Sequence, residues 1–216
     1  MKIINFSEQN SILNNFLKEI RDVEIQKDPM RFRRNLERIG EIMAYEISKT
    51  LSYQAENVHT PLGVCETKVL TDQIVLSTVF RAGLPFHQGF LNYFDRAENA
   101  FVSAYRMYKD SLKFEVLIEY IAAPPIDGKT LLIVDPMLAS GSSMELAYKA
   151  LLQRGTPKEI HVAAIIASRE GVEYVKKHFP DDITLWVVAI DPELDEHSYI
   201  VPGLGDAGDL AFGEKI

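Results

Sequence analysis

The stretch "LLIVDPMLASGSSMELAYKALL", residues 131–152, decides the fold. It runs a short β-branched and leucine-rich segment into an acidic residue, passes through the five small residues "ASGSS", and then takes up helical spacing. A hydrophobic run of this kind, bounded by turn residues, is the pattern of a strand covered on both faces. A strand that feeds a helix through a short loop is half of a βαβ unit. Four more runs repeat the first half of the pattern: "QIVLSTVF" (73–80), "AFVSAYRMY" (100–108), "IHVAAIIAS" (160–168) and "ITLWVVAI" (183–190). Helical stretches are expected between them, at about Pro85 to Phe94, Ser142 to Gln153 and Gly171 to His178. Strands alternating with helices predict an α/β fold, an open and mostly parallel sheet with helices on both faces. Sheets of this type bind ligands beyond the carboxyl ends of their strands, so chemistry is expected in the loops that follow them.

The composition bounds what those loops can do. At 216 residues the chain suits a single domain, 1–216, with its own core. The 31 acidic and 23 basic side chains leave a net charge of −8, which argues against a nucleic-acid partner. The single cysteine, Cys65, excludes an intramolecular disulfide and reads as a small buried hydrophobe. The opening "MKIINFSEQNSILNNF" breaks every apolar run with polar residues, so neither a signal peptide nor a membrane partner is expected. A cytoplasmic location follows. From Asp28 to Thr50 the positions Phe32, Leu36, Ile39, Ile42, Met43 and Ile47 recur at three and four, which predicts a helix with one buried face. Its other side carries Arg31, Arg33, Arg34, Arg38 and Glu41, expected to be a solvated face or a subunit contact.

At the turn from strand to helix, Ser140, Gly141, Ser142 and Ser143 place unpaired backbone N–H groups and the positive end of a helix dipole where an anion can reach them. Three hydroxyls add donors. Asp135, a few residues upstream, is within reach of the hydroxyls of a sugar whose phosphate sits in that loop. A sugar phosphate is thus the expected ligand. The loop is not a nucleotide P-loop, because Ala123 stands where the first glycine of that motif belongs and "GKT" leads into a strand.

"LLIVDPMLASGSS" resembles the phosphoribosyl-pyrophosphate (PRPP) loop of phosphoribosyltransferases, and "YIVPGLGDAGDLAFG" (199–213) is similar to the C-terminal base-binding segment of the uracil phosphoribosyltransferase family. "RFRRNLERIGEIMAYEIS" (31–48) and "FRAGLPFHQGF" (80–90) extend the resemblance over nearly the whole chain. It implies transfer of the phosphoribosyl group of PRPP to N1 of uracil, giving UMP and pyrophosphate. It further implies an N-terminal helical arm (1–55), a two-stranded flap (105–121) and a uracil-binding segment (190–216). Asp135, Arg106 and Asp206 are implied as catalytic. PRPP contacts are implied for Arg81, Arg106, Asp135, Pro136, Met137, Leu138, Ala139, Ser140, Gly141, Ser142, Ser143 and Asp206. Uracil contacts are implied for Ile200, Gly205, Asp206 and Ala207. Magnesium would be carried by PRPP near Asp206 and not by side chains alone. GTP as an activator and a homodimer or higher homo-oligomer complete the picture. His197 is expected to bond within its own loop. Two departures stand out: "ASGSS" replaces the family's common "ATGGS", with Ser142 in place of glycine, and "DPELDEHSY" (191–199) replaces "DQGLNEHGY".

Overall fold

The computed structural model describes residues 1–108 and 114–215, with the side chains of residues 104–119 outside the description. The chain begins on β1 (Lys2–Asn5) and continues through α1 (Leu13–Arg21) and α2 (Pro29–Ser48) into a hairpin of β2 (Tyr53–Thr60) and β3 (Gly63–Leu70). Then come β4 (Ile74–Phe80), α3 (Gly83–Leu91), β5 (Glu98–Tyr108), β6 (Phe114–Ala122), β7 (Thr130–Val134) and the two-residue β8 (Met137–Leu138). The final part holds α4 (Ser142–Leu151), β9 (Glu159–Ser168), α5 (Arg169–His178), β10 (Thr184–Asp191), the short β11 (Glu193–Leu194) and β12 (Ile200–Val201), and α6 (Ala207–Phe212).

The main sheet has the order β1-β10-β9-β7-β4-β5-β6, with β8 also paired to β9. All its pairings are parallel except β5 with β6. Successive residues of the central strands face opposite layers. Leu132, Val134, Ala163, Ile165 and Trp186 pack with Phe32, Leu36, Ile39 and Met43 of α2 and Phe86 and Phe90 of α3. Leu131, Ile133, Val162, Ala164 and Leu185 pack with Met144, Tyr148 and Leu151 of α4 and Val172 and Val175 of α5. The expected two helical layers are therefore present, and the unbroken apolar runs of β7 and β9 follow from burial on both sides. Among the described residues no helix is long and apolar enough to cross a membrane.

Local chemistry sets the element ends. Pro29 occupies the first turn of α2, and the carboxylate of Asp28 accepts from the N–H groups of Met30 and Arg31. The five large apolar side chains this helix buries are worth about 1.5–3 kcal/mol each against leaving them in water. The stretch read as a helical arm carries α1 and α2, but it opens on β1 and ends at the start of the β2–β3 hairpin. Every residue of that hairpin up to Lys68 is exposed, Cys65 included. The expectation of a buried cysteine is thus wrong, because β3 lies outside the core layers. Residues 105–121, expected to be a flap, fall within the span of the antiparallel β5–β6 pair, and 109–113 of them lie outside the described residues.

Candidate active site

The carboxyl ends of β4 and β7, α4 and the C-terminal segment enclose a cleft of about 600 Å³, the size of an ordinary small-molecule site. It is lined by Val79 to Ala82, Ser103, Asp135, Met137 to Gly141, Ser143, Met144, Ser198 to Ile200, Gly205 to Gly208 and Lys215.

Its phosphate-loop wall is tied to the sheet. The N–H of Asp135 donates to the carbonyl of Ala163, and the N–H groups of Ile165 and Ile166 both donate to the carbonyl of Pro136. Pro136 is buried toward the sheet and does not line the cleft, in contrast to Asp135 beside it. Gly141 caps α4 at φ +84°, a left-handed conformation that favours glycine, and as the N-cap residue it supplies no side-chain acceptor to the first N–H groups of the helix. Ser142 is the first helical residue, and its hydroxyl pairs with that of Ser140 at 2.9 Å. Serine is accommodated here because the left-handed position belongs to its neighbour, Gly141. The Asp135 carboxyl accepts one N–H, from Met137, while burial pushes its pKa up to about 7.

Facing this wall is the C-terminal segment. The Arg21 guanidinium forks onto Asp191 at 2.7 and 2.8 Å and also donates to the carbonyl of Gly203, whose N–H returns to Asp191. That pair anchors the β11–β12 hairpin, which leads through the cis Val201–Pro202 peptide to Gly205 and α6. In the hairpin turn, the Asp195 carboxylate accepts from the N–H groups of His197 and Tyr199. His197 does not line the cleft. Ser198, at the position where the family's usual segment has glycine, adopts φ +62°. The left-handed region is unfavourable for a side-chain-bearing residue, so Ser198→Gly should raise the unfolding free energy by about 0.5–1 kcal/mol and the thermal midpoint by roughly 1–4 °C. A melt no higher than the wild type's would show the turn to be relaxed as it stands.

Asp206 caps α6 by accepting from the N–H of Asp209, and it pairs with Lys215 at 3.1 Å. Burial pushes its carboxyl up, but the Asp209 N–H and the Lys215 ammonium outweigh it and hold the group below the usual carboxylate range. Arg81 follows a cis Phe80–Arg81 peptide, and its guanidinium donates to Asp209 at 2.6 Å and to the carbonyl of Gly213 at 3.1 Å. The two cleft cations with described side chains, Arg81 and Lys215, are thus each matched to an acid on or beside α6. Lys215 carries no sequence signal, since a single lysine among polar residues has no pattern. The Arg106 side chain lies outside the described residues. Of the other expected residues, Met137, Leu138, Ala139, Ser140, Gly141, Ser143, Ile200, Gly205 and Ala207 line the cleft, whereas Ser142 does not.

The arginine cluster of α2 is taken up within the chain. Arg31 pairs with Glu19, Arg33 donates to the carbonyl of Ala211, Arg34 pairs with Glu37 and Glu41, and Arg38 lies over the Phe16 ring.

Comparison with known proteins places the chain in a family. The family model for uracil phosphoribosyltransferase matches residues 7–214. The chain belongs to the uracil phosphoribosyltransferase family. A uracil phosphoribosyltransferase from Porphyromonas gingivalis is 63% identical over 216 residues, covering all of both chains. A uracil phosphoribosyltransferase from Pyrococcus furiosus is 38% identical over 212 residues, 97% of this chain and 89% of its own. Among solved structures, the AQ2163 protein from Aquifex aeolicus superposes with a TM-score of 0.87 at 28% identity, covering 98% of both chains. A hypoxanthine phosphoribosyltransferase from Staphylococcus aureus, at 14% identity and a TM-score of 0.51 over 86% of this chain and 84% of its own, shares the fold alone. Placed in the uracil phosphoribosyltransferase family, the loop at 135–143 and the segment at 199–213 are the two walls of one cleft.

Proposed function

We propose that this cleft joins uracil to the phosphoribosyl group of PRPP, releasing UMP and pyrophosphate, with a defined division of labour between its walls. The observation that carries the reading is that the uncapped N-terminus of α4, the Asp135 carboxyl and the small-residue backbone at 205–208 line one cavity. The 5-phosphate belongs in the α4 cradle, where Ala139 to Ser143 supply backbone N–H groups, hydroxyls and the helix dipole. Asp135, just before it, accepts from the ribose hydroxyls.

The C–N bond to N1 of uracil forms as the bond from the ribose carbon to pyrophosphate breaks, and the N1 proton is released. Positive charge develops on the ribose and negative charge on the departing group. Arg81 and Arg106 are assigned to that anion, where a bidentate fork matches phosphate oxygens. Arg81 must exchange Asp209 and Gly213 for the pyrophosphate. Uracil presents an N–H between two carbonyls, an edge that backbone N–H and C=O groups between Ile200 and Ala207 can match without a side chain. Cytosine would leave a buried donor unpaired.

Magnesium fits as an ion carried by PRPP. The described residues hold no group of three or more His, Cys, Asp and Glu side chains that could cage a metal, but Asp135 and Asp206 line the same cleft. When bound, it supplies neutralisation of the pyrophosphate charge. A homo-oligomer belongs to the same proposal, supported by the exposed Tyr53, Val58, Leu62 and Val64 of the β2–β3 hairpin. So do GTP activation and a cytoplasmic setting, the latter in keeping with the free thiol of Cys65.

The test is chromatography of products after mixing protein, PRPP and magnesium with uracil, cytosine, orotate or hypoxanthine, with and without GTP. UMP from uracil alone is the expected outcome. A nucleotide formed from another base, or no nucleotide from any of them, would overturn the assignment.

A further inference from the structure

The cradle has a feature behind it that the reaction as described does not use. We propose that the start of α5 is a brace that holds the phosphate loop in its binding shape, with Ser168 and Tyr174 as positioning residues for PRPP. The inference rests on the proposed use of that loop for the 5-phosphate.

Ser168, fully buried, donates its hydroxyl to the carbonyl of Ala139 at 2.6 Å and accepts from the N–H of Gly171 at 2.8 Å. One hydroxyl therefore caps α5 and ties the loop to it. A Cβ on Gly171 would lie 2.3 Å from the carbonyl oxygen of Ala139 and 2.7 Å from that of Leu138, so the α5 backbone rests directly on the loop. One turn further, the Tyr174 ring covers Gly141, where a Cβ would lie 2.7 Å from its Cδ1. The Tyr174 hydroxyl donates to Glu145 in the first turn of α4 at 2.7 Å, and the Glu145 N–H donates to the carbonyl of Gly141. Residues 168, 171 and 174, spaced by three along one helix face, thus hold 139, 141 and 145 from behind.

These contacts fix which way the loop's donors point. In a planar trans peptide the C=O and N–H point in opposite directions. With the Ala139 carbonyl drawn back onto Ser168, the N–H of Ser140 is turned away from α5. With the Gly141 carbonyl engaged inside α4, the N–H of Ser142 is turned out of the helix. A loop already set in this shape binds an anion without the entropic cost of ordering its peptides. Loss of the brace should weaken PRPP binding while leaving the uracil wall alone.

The experiment compares Tyr174→Ala, Tyr174→Phe and Ser168→Ala with the wild type. It measures PRPP dissociation constants by calorimetry, KM for both substrates, kcat and thermal unfolding. Tyr174 is only half-buried, so its alanine variant should fold. In that variant the KM and dissociation constant for PRPP are expected to rise about tenfold, with the uracil KM changed less than about twofold. Tyr174→Phe keeps the ring over Gly141 and should recover most of the affinity. Ser168→Ala should resemble Tyr174→Ala. Wild-type PRPP affinity in Tyr174→Ala, or a parallel loss in kcat and both KM values, would overturn the brace while UMP synthesis by the wild type left the functional reading standing. A wild-type protein that neither binds PRPP nor makes UMP would remove that reading, and the brace with it.

Discussion

Replacing Asp135 by asparagine is expected to lower kcat/KM for PRPP at least tenfold, with an effect that depends on pH. The amide keeps the shape of the side chain but not its charge, and a hydrogen bond to a charged acceptor is worth about 1.5–3 kcal/mol, enough for a tenfold loss or more. Burial lifts the Asp135 carboxyl to about 7, well above the roughly 3.9 of an unfolded aspartate. Below pH 7 the carboxyl is protonated in the ligand-free protein and accepts poorly. The ratio of wild-type to Asp135→Asn activity should therefore climb as pH rises through about 7, and taking the ratio removes the titration of PRPP itself. The sign for stability is the reverse. A carboxyl whose folded pKa is raised destabilises the fold above that pKa and does not below the unfolded one, so Asp135→Asn should melt higher than wild type at pH 8, and the gap should close toward pH 4. Equal rates for the two proteins across this range would remove Asp135 from the reaction.

The second large effect is expected at the Arg21–Asp191 pair. The Asp191 side chain is 8% exposed and that of Arg21 22%, and between them they hold both polar groups of Gly203. Removing one partner leaves the other poorly solvated, so Asp191→Ala should cost about 3 kcal/mol and lower the thermal midpoint by roughly 6–12 °C. Because Gly203 lies in the turn that carries Gly205 and Asp206 to the cleft, the surviving folded protein should show a raised KM for uracil. Arg21→Ala should do much the same, and the double variant should be little worse than either, the mark of residues acting as a unit. Additive losses would mean that the two side chains act separately.

What the sequence disclosed follows where burial leaves a pattern. β7 and β9 are covered on both faces and therefore appear as unbroken apolar runs, and α2 shows its buried face at a spacing of three and four because only one side of the helix packs on the core. The β2–β3 hairpin escaped because nearly all its residues face water, so Glu56, Glu66 and Lys68 interrupt any alternation and the Pro61-Leu62-Gly63 turn looks like a boundary and not a hairpin tip. β1 escaped because four residues at a sheet edge are too few to show a period. In the cleft, the loop at 135–143 was legible because small residues before a helix have a physical meaning of their own. Lys215, Ser168 and Tyr174 were not, because their roles come from neighbours distant in sequence: Ser168 reaches back 29 residues to Ala139.

β1 also bears on how the molecule comes into being. Residues 2–5 pair with residues 184–187, and Arg21 finds Asp191 across 170 positions. On the ribosome β1 is made before its partner and must wait, its edge unsatisfied, until the chain through β10 has been synthesised. Closing so long a loop is slow, and strands left unpaired in the meantime invite association with other chains. With only two isoleucines in its four residues, β1 offers little apolar edge for such association.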